Sequence, residues 1–270
     1  MLTTHFIQHS PLPTLAVTIT TESPEILFIH GCTCSAETWF PLMIALADAG
    51  VGSAAVDLRG HGKSHGHEVL QAAEMKDYVA DARRALEHFP TLRVVVGHSM
   101  GGLITQLLAA ETKLNHAVLI ASSPIRGMKA DGFRMMSKHI WTFLVASIRR
   151  SFKRLYLNEA VVRSLLFHSQ TPDTVVRTFM LKVQEDSWRA GNEMSTLLPD
   201  PTTVSCPVTV IGGREDFMVS RASTEATALA YRTKAIYIDQ CAHMVPLEAE
   251  PKELAHLILT AIRAAELNTQ

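Results

Sequence analysis

Six short runs, EILFIH, SAAVDL, RVVVGH, HAVLIAS, PVTVIGG and KAIYID, are dense in Val, Ile, Leu and Ala. A strand that alternates apolar with polar residues has one wet face. These runs have none, so both faces need cover, and a parallel sheet clad by helices on either side supplies it. Stretches of helical spacing at 80–89, 100–111 and 253–267 accompany the runs. Strand alternating with helix predicts βαβ units and a doubly wound, mostly parallel α/β sheet.

The alternation breaks once. Residues 125–198 are rich in Met, Phe, Leu, Arg and Lys and hold no convincing strand before SCPVTVIGGRED resumes the sheet. Both ends of this segment abut strands of one sheet. The simplest organisation is therefore a core of residues 1–124 and 199–270, interrupted at 125–198 by a helical lid over the strand ends, where open α/β sheets take ligands.

Composition narrows the classes. At 270 residues, 47% of them apolar and 19% charged, the chain can bury a core without a disulfide framework. Four cysteines and no basic-then-apolar leader lead us to expect a soluble, cytoplasmic protein. No apolar run approaches the roughly 18 residues of a spanning helix, so stable membrane insertion is not expected. A net charge of −1 likewise gives no reason to expect nucleic acid. That mean conceals a division: residues 126–198 carry 12 Lys+Arg against 6 Asp+Glu, leaving +6 there and −7 elsewhere.

The stretch VVVGHSMGGLITQLLAAE joins an apolar strand to a helix at Gly97-His98-Ser99-Met100-Gly101. Small residues on either side of the serine permit a sharp turn that holds its hydroxyl clear of the sheet. A serine hydroxyl is a weak nucleophile at neutral pH, so it needs a base, and the base needs an orienting carboxylate. Asp216, just past PVTVIGG, and His243, just past KAIYID, would project from the same sheet edge in the chain order Ser, Asp, His. Glu215 is the neighbouring alternative for the acid. Acyl transfer also needs donors for the oxyanion. The backbone N–H groups of Met100, at a helix start, and Cys32, after ILFIHG, are the expected pair.

Together HGCTCSAETW, DLRGHGKS, GHSMGG, GREDFMV and AHMVPLE resemble the α/β-hydrolase fold family over nearly the whole chain except the insertion. The resemblance implies a serine hydrolase, with Ser99 as nucleophile, Asp216 as acid, His243 as base, the Cys32 and Met100 amides as oxyanion hole, and no cofactor or metal. A serine at the elbow disfavours the dehalogenase and epoxide hydrolase branches, which carry aspartate there, and a full triad disfavours the cofactor-free dioxygenases. A carboxylesterase acting on small to medium acyl or aromatic esters is the expected activity. Thioesterase, lactonase or C–C hydrolase chemistry is the alternative, with hydroxynitrile lyases and perhydrolases as outliers. A non-catalytic small-molecule receptor is the reading from another class, because fold does not fix function.

His30, Met128, Phe133, Trp141, Phe143, Phe217 and Met218 are the expected pocket residues, with Met135 and Met136 beside them in an apolar, adaptable wall. Cys32-x-Cys34 lacks a second cysteine pair and is read as pocket wall rather than a metal site. RGHGKSHGH lacks Walker A spacing and is read as a structural turn. In HIWTFLVASIRRSFKRLY, Trp141, Leu144, Val145, Ile148, Phe152 and Leu155 share one predicted face, and Arg149, Arg150, Lys153 and Arg154 the other. That helix is expected to cover the pocket with its apolar face, although such a helix can also lie on an anionic membrane. The basic side matches an anionic acyl carrier or headgroup as partner.

Overall fold

All six runs form strands of one eight-stranded sheet in the computed structural model, which describes residues 1–267; the last three positions of the predicted second core segment, 268–270, lie outside the described residues. The sheet contains β1 (Thr3–His9), β2 (Leu12–Ile19), β3 (Ile26–Ile29), β4 (Ser53–Val56), β5 (Val94–His98), β6 (His116–Ile120), β7 (Val208–Gly213) and β8 (Ala235–Ile238), in the order β1-β2-β4-β3-β5-β6-β7-β8. From β4 to β8 all neighbours run parallel. β1 and β2 form an antiparallel hairpin that pairs with β4. Sequence reading did not identify this hairpin, because TTHFIQH is only partly buried and lacks the continuous apolar run of the inner strands.

The helices are α1 (Phe40–Asp48), α2 (Met75–His88), α3 (Met100–Glu111), α4 (Lys129–Lys138), α5 (Ile140–Arg149), α6 (Glu159–Leu166), α7 (Asp173–Lys182), α8 (Trp188–Glu193), α9 (Arg221–Ala230), α10 (Val245–Glu248) and α11 (Pro251–Leu267). Side chains alternate across each inner strand. Leu27 and Ile29 of β3, Val95 of β5 and Leu119 of β6 enter a core shared with α2 and α3. Ile26, Phe28, Val94, Val96, Val118 and Ile120 enter one shared with α1 and α11. Two apolar layers on one sheet explain why these strands read as unbroken apolar runs.

Helices α4 to α8 lie between β6 and β7 and have their own core, including Val162, Leu165, Leu166, Val176 and Phe179. Cys34, Val219 and Met244, from loops after β3, β7 and β8, join that core. The predicted long helix beginning at His139 is not continuous. α5 ends at Arg149, Arg150 takes a left-handed conformation with φ 47°, and a 3₁₀ turn follows at Lys153–Tyr156. Phe152 packs tilted against Trp188 with ring centroids 4.8 Å apart, and Leu155 is buried. Trp141, Leu144, Val145 and Ile148 are exposed, so their apolar face points to solvent instead of covering a pocket.

Candidate active site

Ser99 sits between β5 and α3 at φ 53° and ψ −115°, a backbone conformation that costs a non-glycine residue on the order of 1–3 kcal/mol. The surrounding chain enforces it. The Ser99 N–H donates to the Ile120 carbonyl at 3.1 Å, and its own carbonyl accepts from Gly102 and Ser123, both at 3.0 Å. A Cβ on Gly97 would overlap the Gly101 carbonyl, and one on Gly101 would overlap the Ile29 carbonyl. Glycine at both positions is what brings α3 this close to the sheet.

His243 Nε2 lies 3.0 Å from Ser99 Oγ, and His243 Nδ1 lies 2.9 Å from Asp216 Oδ2. Both the His243 and Asp216 side chains are buried, which keeps water from competing for these contacts. Asp216 is fixed in turn by the Val219 N–H, which donates to its Oδ1 at 2.9 Å. The structure thus joins Ser99, His243 and Asp216 in one hydrogen-bonded line. Glu215 points elsewhere: its carboxylate is more than half exposed and lies 3.0 Å from His168.

The loop after β3 lies against the serine, close enough that a Cβ on Gly31 would fall 3.2 Å from Ser99 Cβ. Met100 opens α3, where first-turn amides have no intrahelical acceptor. Among the described residues neither the Cys32 nor the Met100 N–H donates to a backbone carbonyl outside the regular elements. Both cysteines of C-x-C are free. Burial, reinforced by Asp186, pushes the Cys32 thiol well up, and burial carries Cys34 up to about 12, so both are protonated thiols at neutral pH.

A cavity of about 440 Å³ opens on Ser99 and His243. Met128, Phe133, Met135, Met136, Phe143 and Met218 form part of its wall. Three expected wall residues are elsewhere. His30 is wholly buried beneath the site, contacting the Gly31 carbonyl through Nδ1 and accepting the Leu58 N–H at Nε2; burial, then His61, pushes it down to about 3. Trp141 faces solvent on α5, and Phe217 packs under Arg134 and Lys138.

Several supporting groups went unrecognised in the sequence. His98 Nε2 donates to the His243 carbonyl at 2.9 Å; burial, with His243 next, pushes His98 down to about 3, so it serves as a neutral donor. Glu248 accepts the Ala242 N–H at 2.8 Å and the His168 N–H at 2.6 Å, and the Leu166 carbonyl accepts the N–H groups of both His243 and Met244 at 3.0 Å. Helix α6 therefore holds the histidine loop. Such pairings join residues distant in sequence, and no local pattern marks them.

Asp186 is the most consequential of these. It is wholly buried and accepts from Thr33 N–H at 2.9 Å, from Tyr78 OH at 2.7 Å and from Ser187 N–H at 2.7 Å, so it anchors the residue next to Cys32. His61 lies beside it, with Nδ1 3.0 Å from the Arg59 carbonyl and Nε2 3.2 Å from Asp186 Oδ2. Nδ1 thus faces an acceptor and Nε2 lies at ion-pair distance from a carboxylate, surroundings that favour the imidazolium. Burial opposes that charge, but Asp186 overcomes it and raises His61 above its ordinary 6.5. Burial would also raise Asp186, but His61, with the Thr33 and Tyr78 donors, holds it well below the ordinary 3.8.

Breaking such a buried pair costs about 3–5 kcal/mol. Asp186→Asn should therefore melt well below the wild type. A raised histidine stabilises fully below its unfolded value and loses that contribution as pH rises through its folded value; a depressed carboxyl stabilises above its unfolded value. The gap between the two proteins should be widest between pH 3.8 and 6.5 and narrow toward alkaline pH, as thermal unfolding across that range will show.

A sequence model of the alpha/beta hydrolase family matches residues 26–257. The chain is 39% identical to a non-heme haloperoxidase of Rhodococcus erythropolis over 82 residues, 28% of this chain and 28% of that relative. Over 260 residues, 90% of this chain and 94% of the relative, it is 24% identical to a pimeloyl-acyl-carrier-protein methyl ester esterase of Proteus mirabilis. Its fold superimposes on that of a thermophilic esterase from Thermogutta terrifontis with a TM-score of 0.77 at 20% identity, covering 98% of this chain and 99% of the other. With a family match that spans most of the chain and a sheet and helix arrangement that agrees with it, the protein belongs to the alpha/beta hydrolase family.

Proposed function

We propose that this protein is a serine hydrolase that cleaves carboxylic esters of small to medium acyl or aromatic groups through an acyl-enzyme on Ser99. The observation that carries this reading is the unbroken line Ser99, His243, Asp216 facing an apolar cavity. Its relatives named as esterases support the same reaction class.

In the proposed reaction Ser99 Oγ attacks the acyl carbonyl carbon while its proton passes to His243 Nε2. The resulting oxyanion accepts from the Cys32 and Met100 N–H groups. Collapse of the tetrahedral intermediate expels the alcohol, which takes the proton from His243. A water then gives its proton to His243 as its oxygen attacks the acyl carbon, and the acid leaves as Ser99 Oγ recovers the proton. Asp216 keeps the Nδ1 proton in place and stabilises the imidazolium. In this reading residues 125–198 act as the lid and supply most of the acyl-binding wall.

A series of p-nitrophenyl esters of increasing acyl length, assayed beside acyl-CoA thioesters and lactones, tests the substrate class. The expected result is the highest kcat/KM on short or medium acyl esters. A thioester or lactone preferred over its matched ester by more than about tenfold would replace the ester reading. Phe143 and Met128 line the cavity, so Phe143→Ala combined with Met128→Ala should move the optimum toward longer chains.

A further inference from the structure

The two sides of α5 have opposite surroundings. Ala146 is buried, and Phe143, Ala146 and Ser147 line the cavity. Trp141, Leu144, Val145 and Ile148 recur at spacings of three and four on the other side. That stripe is uncovered, with Trp141 76% and Ile148 71% exposed. A solvent face built from four large apolar side chains is unusual for a surface helix, which normally turns its polar side outward.

Two further observations indicate what covers it. First, the neighbouring helix α4 also exposes apolar side chains at the cavity. Phe133 and Met136 of α4 are exposed and also belong to the cavity wall. Second, the C-terminal end of α5 carries a cluster of free charge. Arg149, Arg150, Lys153 and Arg154 are exposed, and among the described residues none of their side chains is in an ion pair, although the Lys153 backbone N–H donates to the Glu185 carboxylate at 3.4 Å. Five other cations of the same segment are paired, Arg134 with Asp131, Arg163 with Glu159 and Asp173, Arg177 with Glu159, Lys182 with Glu37, and Arg189 with Glu74, whereas Arg126, Lys129 and Lys138 are in no ion pair among the described residues but do not adjoin one another in a cluster of four.

We propose that this face of α5 docks on an anionic lipid bilayer, with its apolar side chains among the upper acyl chains and the four cations among the headgroups. The pattern fits an interfacial helix, which lies in the plane of the membrane. A tryptophan on the apolar side suits the headgroup boundary. Among the described residues no helix is long and apolar enough to cross a membrane, and the docking proposed is peripheral. A second copy of the chain seated face to face on this surface would set the four cations against the same four cations, whereas anionic headgroups neutralise them. Docking would turn the Phe133 and Met136 side of the cavity toward the bilayer, where acyl esters are concentrated. The inference deepens the acyl-ester reading by naming where the substrate is met.

Co-sedimentation of the full-length Ser99→Ala protein with vesicles of equimolar phosphatidylcholine and phosphatidylglycerol tests it, since that protein leaves the lipid unhydrolysed. Binding is expected to the mixed vesicles and much less to pure phosphatidylcholine, with a blue shift of tryptophan emission. Trp141→Ser combined with Ile148→Ser should weaken binding by more than about tenfold. Arg149→Gln combined with Lys153→Gln should weaken it by about fivefold per cation removed and reduce the preference for anionic lipid in the same proportion.

In an otherwise wild-type background, both pairs should keep the wild-type rate on p-nitrophenyl acetate. No sedimentation of Ser99→Ala with the mixed vesicles, or equal sedimentation of the face variants, would overturn the proposal. So would self-association in solution, or capture by an acidic acyl carrier protein, that depends on the same residues while vesicles are ignored. Vesicle binding without ester turnover in the wild type would overturn the hydrolase reading alone, and turnover without binding the docking alone.

Discussion

Ser99→Ala is expected to lower kcat on a p-nitrophenyl ester by about 10⁶-fold, leaving only the residual rate that binding and oxyanion donors supply. The substitution removes only Oγ, 3.0 Å from His243 Nε2, so the fold should persist and the unfolding temperature should change little. Ser99→Gly should be equally inactive for the same reason. Its stability should be no lower than wild type, because relief of about 1–3 kcal/mol of strain at φ 53° offsets roughly 0.5–1 kcal/mol of added chain entropy. An inactive protein at least as stable as its parent would show strain held in place for function. A Ser99→Ala protein that retains more than about one-tenth of the activity would move the nucleophile elsewhere.

Asp216→Asn is expected to lower kcat by about 10⁴-fold. The mechanism follows from two contacts. Val219 N–H can only donate, so it fixes the amide oxygen of the new asparagine on its own side. The amide NH₂ then faces His243 Nδ1, which must become an acceptor, and the ring proton moves to Nε2 opposite Ser99 Oγ. A histidine already protonated at Nε2 cannot take the serine proton. KM should change far less than kcat, since Asp216 is buried behind the histidine and is absent from the cavity wall. A loss under about tenfold would reassign the carboxylate role. Glu215 is poorly placed to take it, being engaged with His168.

The inner sheet was legible in the sequence because burial on both faces leaves a continuous apolar run, and the turns after those runs carry Ser99, Asp216 and His243. Strand β1 was not legible, since a sheet-edge strand needs apolar cover on one side at most; β2 is an inner strand whose buried run LAVTI was not singled out. α5 shows a different limit. Its apolar periodicity was visible, yet periodicity gives only the spacing of a face and not the direction in which the face points.

Three of the seven expected wall residues fail for that reason or because burial, invisible in sequence, placed them beneath or beside the cavity: Trp141, His30 and Phe217. Asp186 and Glu248 escaped notice because what matters about them is which backbone amides they accept from, some of them more than seventy residues away. Only the folded chain brings such groups together. The turn RGHGKS, in contrast, is structural as read: Asp57 accepts the Ala36 and Lys63 N–H groups at 2.7 and 3.0 Å and leaves no room for a side chain at Gly62.

Covalent labelling with a fluorophosphonate probe, followed by peptide mass mapping, tests the central claim most directly. The account predicts one adduct, on Ser99, formed by the folded wild type, slowed by several orders of magnitude in Asp216→Asn and absent from Ser99→Ala and from unfolded protein. An adduct on another residue, or a folded wild type that resists the probe while Ser99→Ala behaves identically, would contradict it.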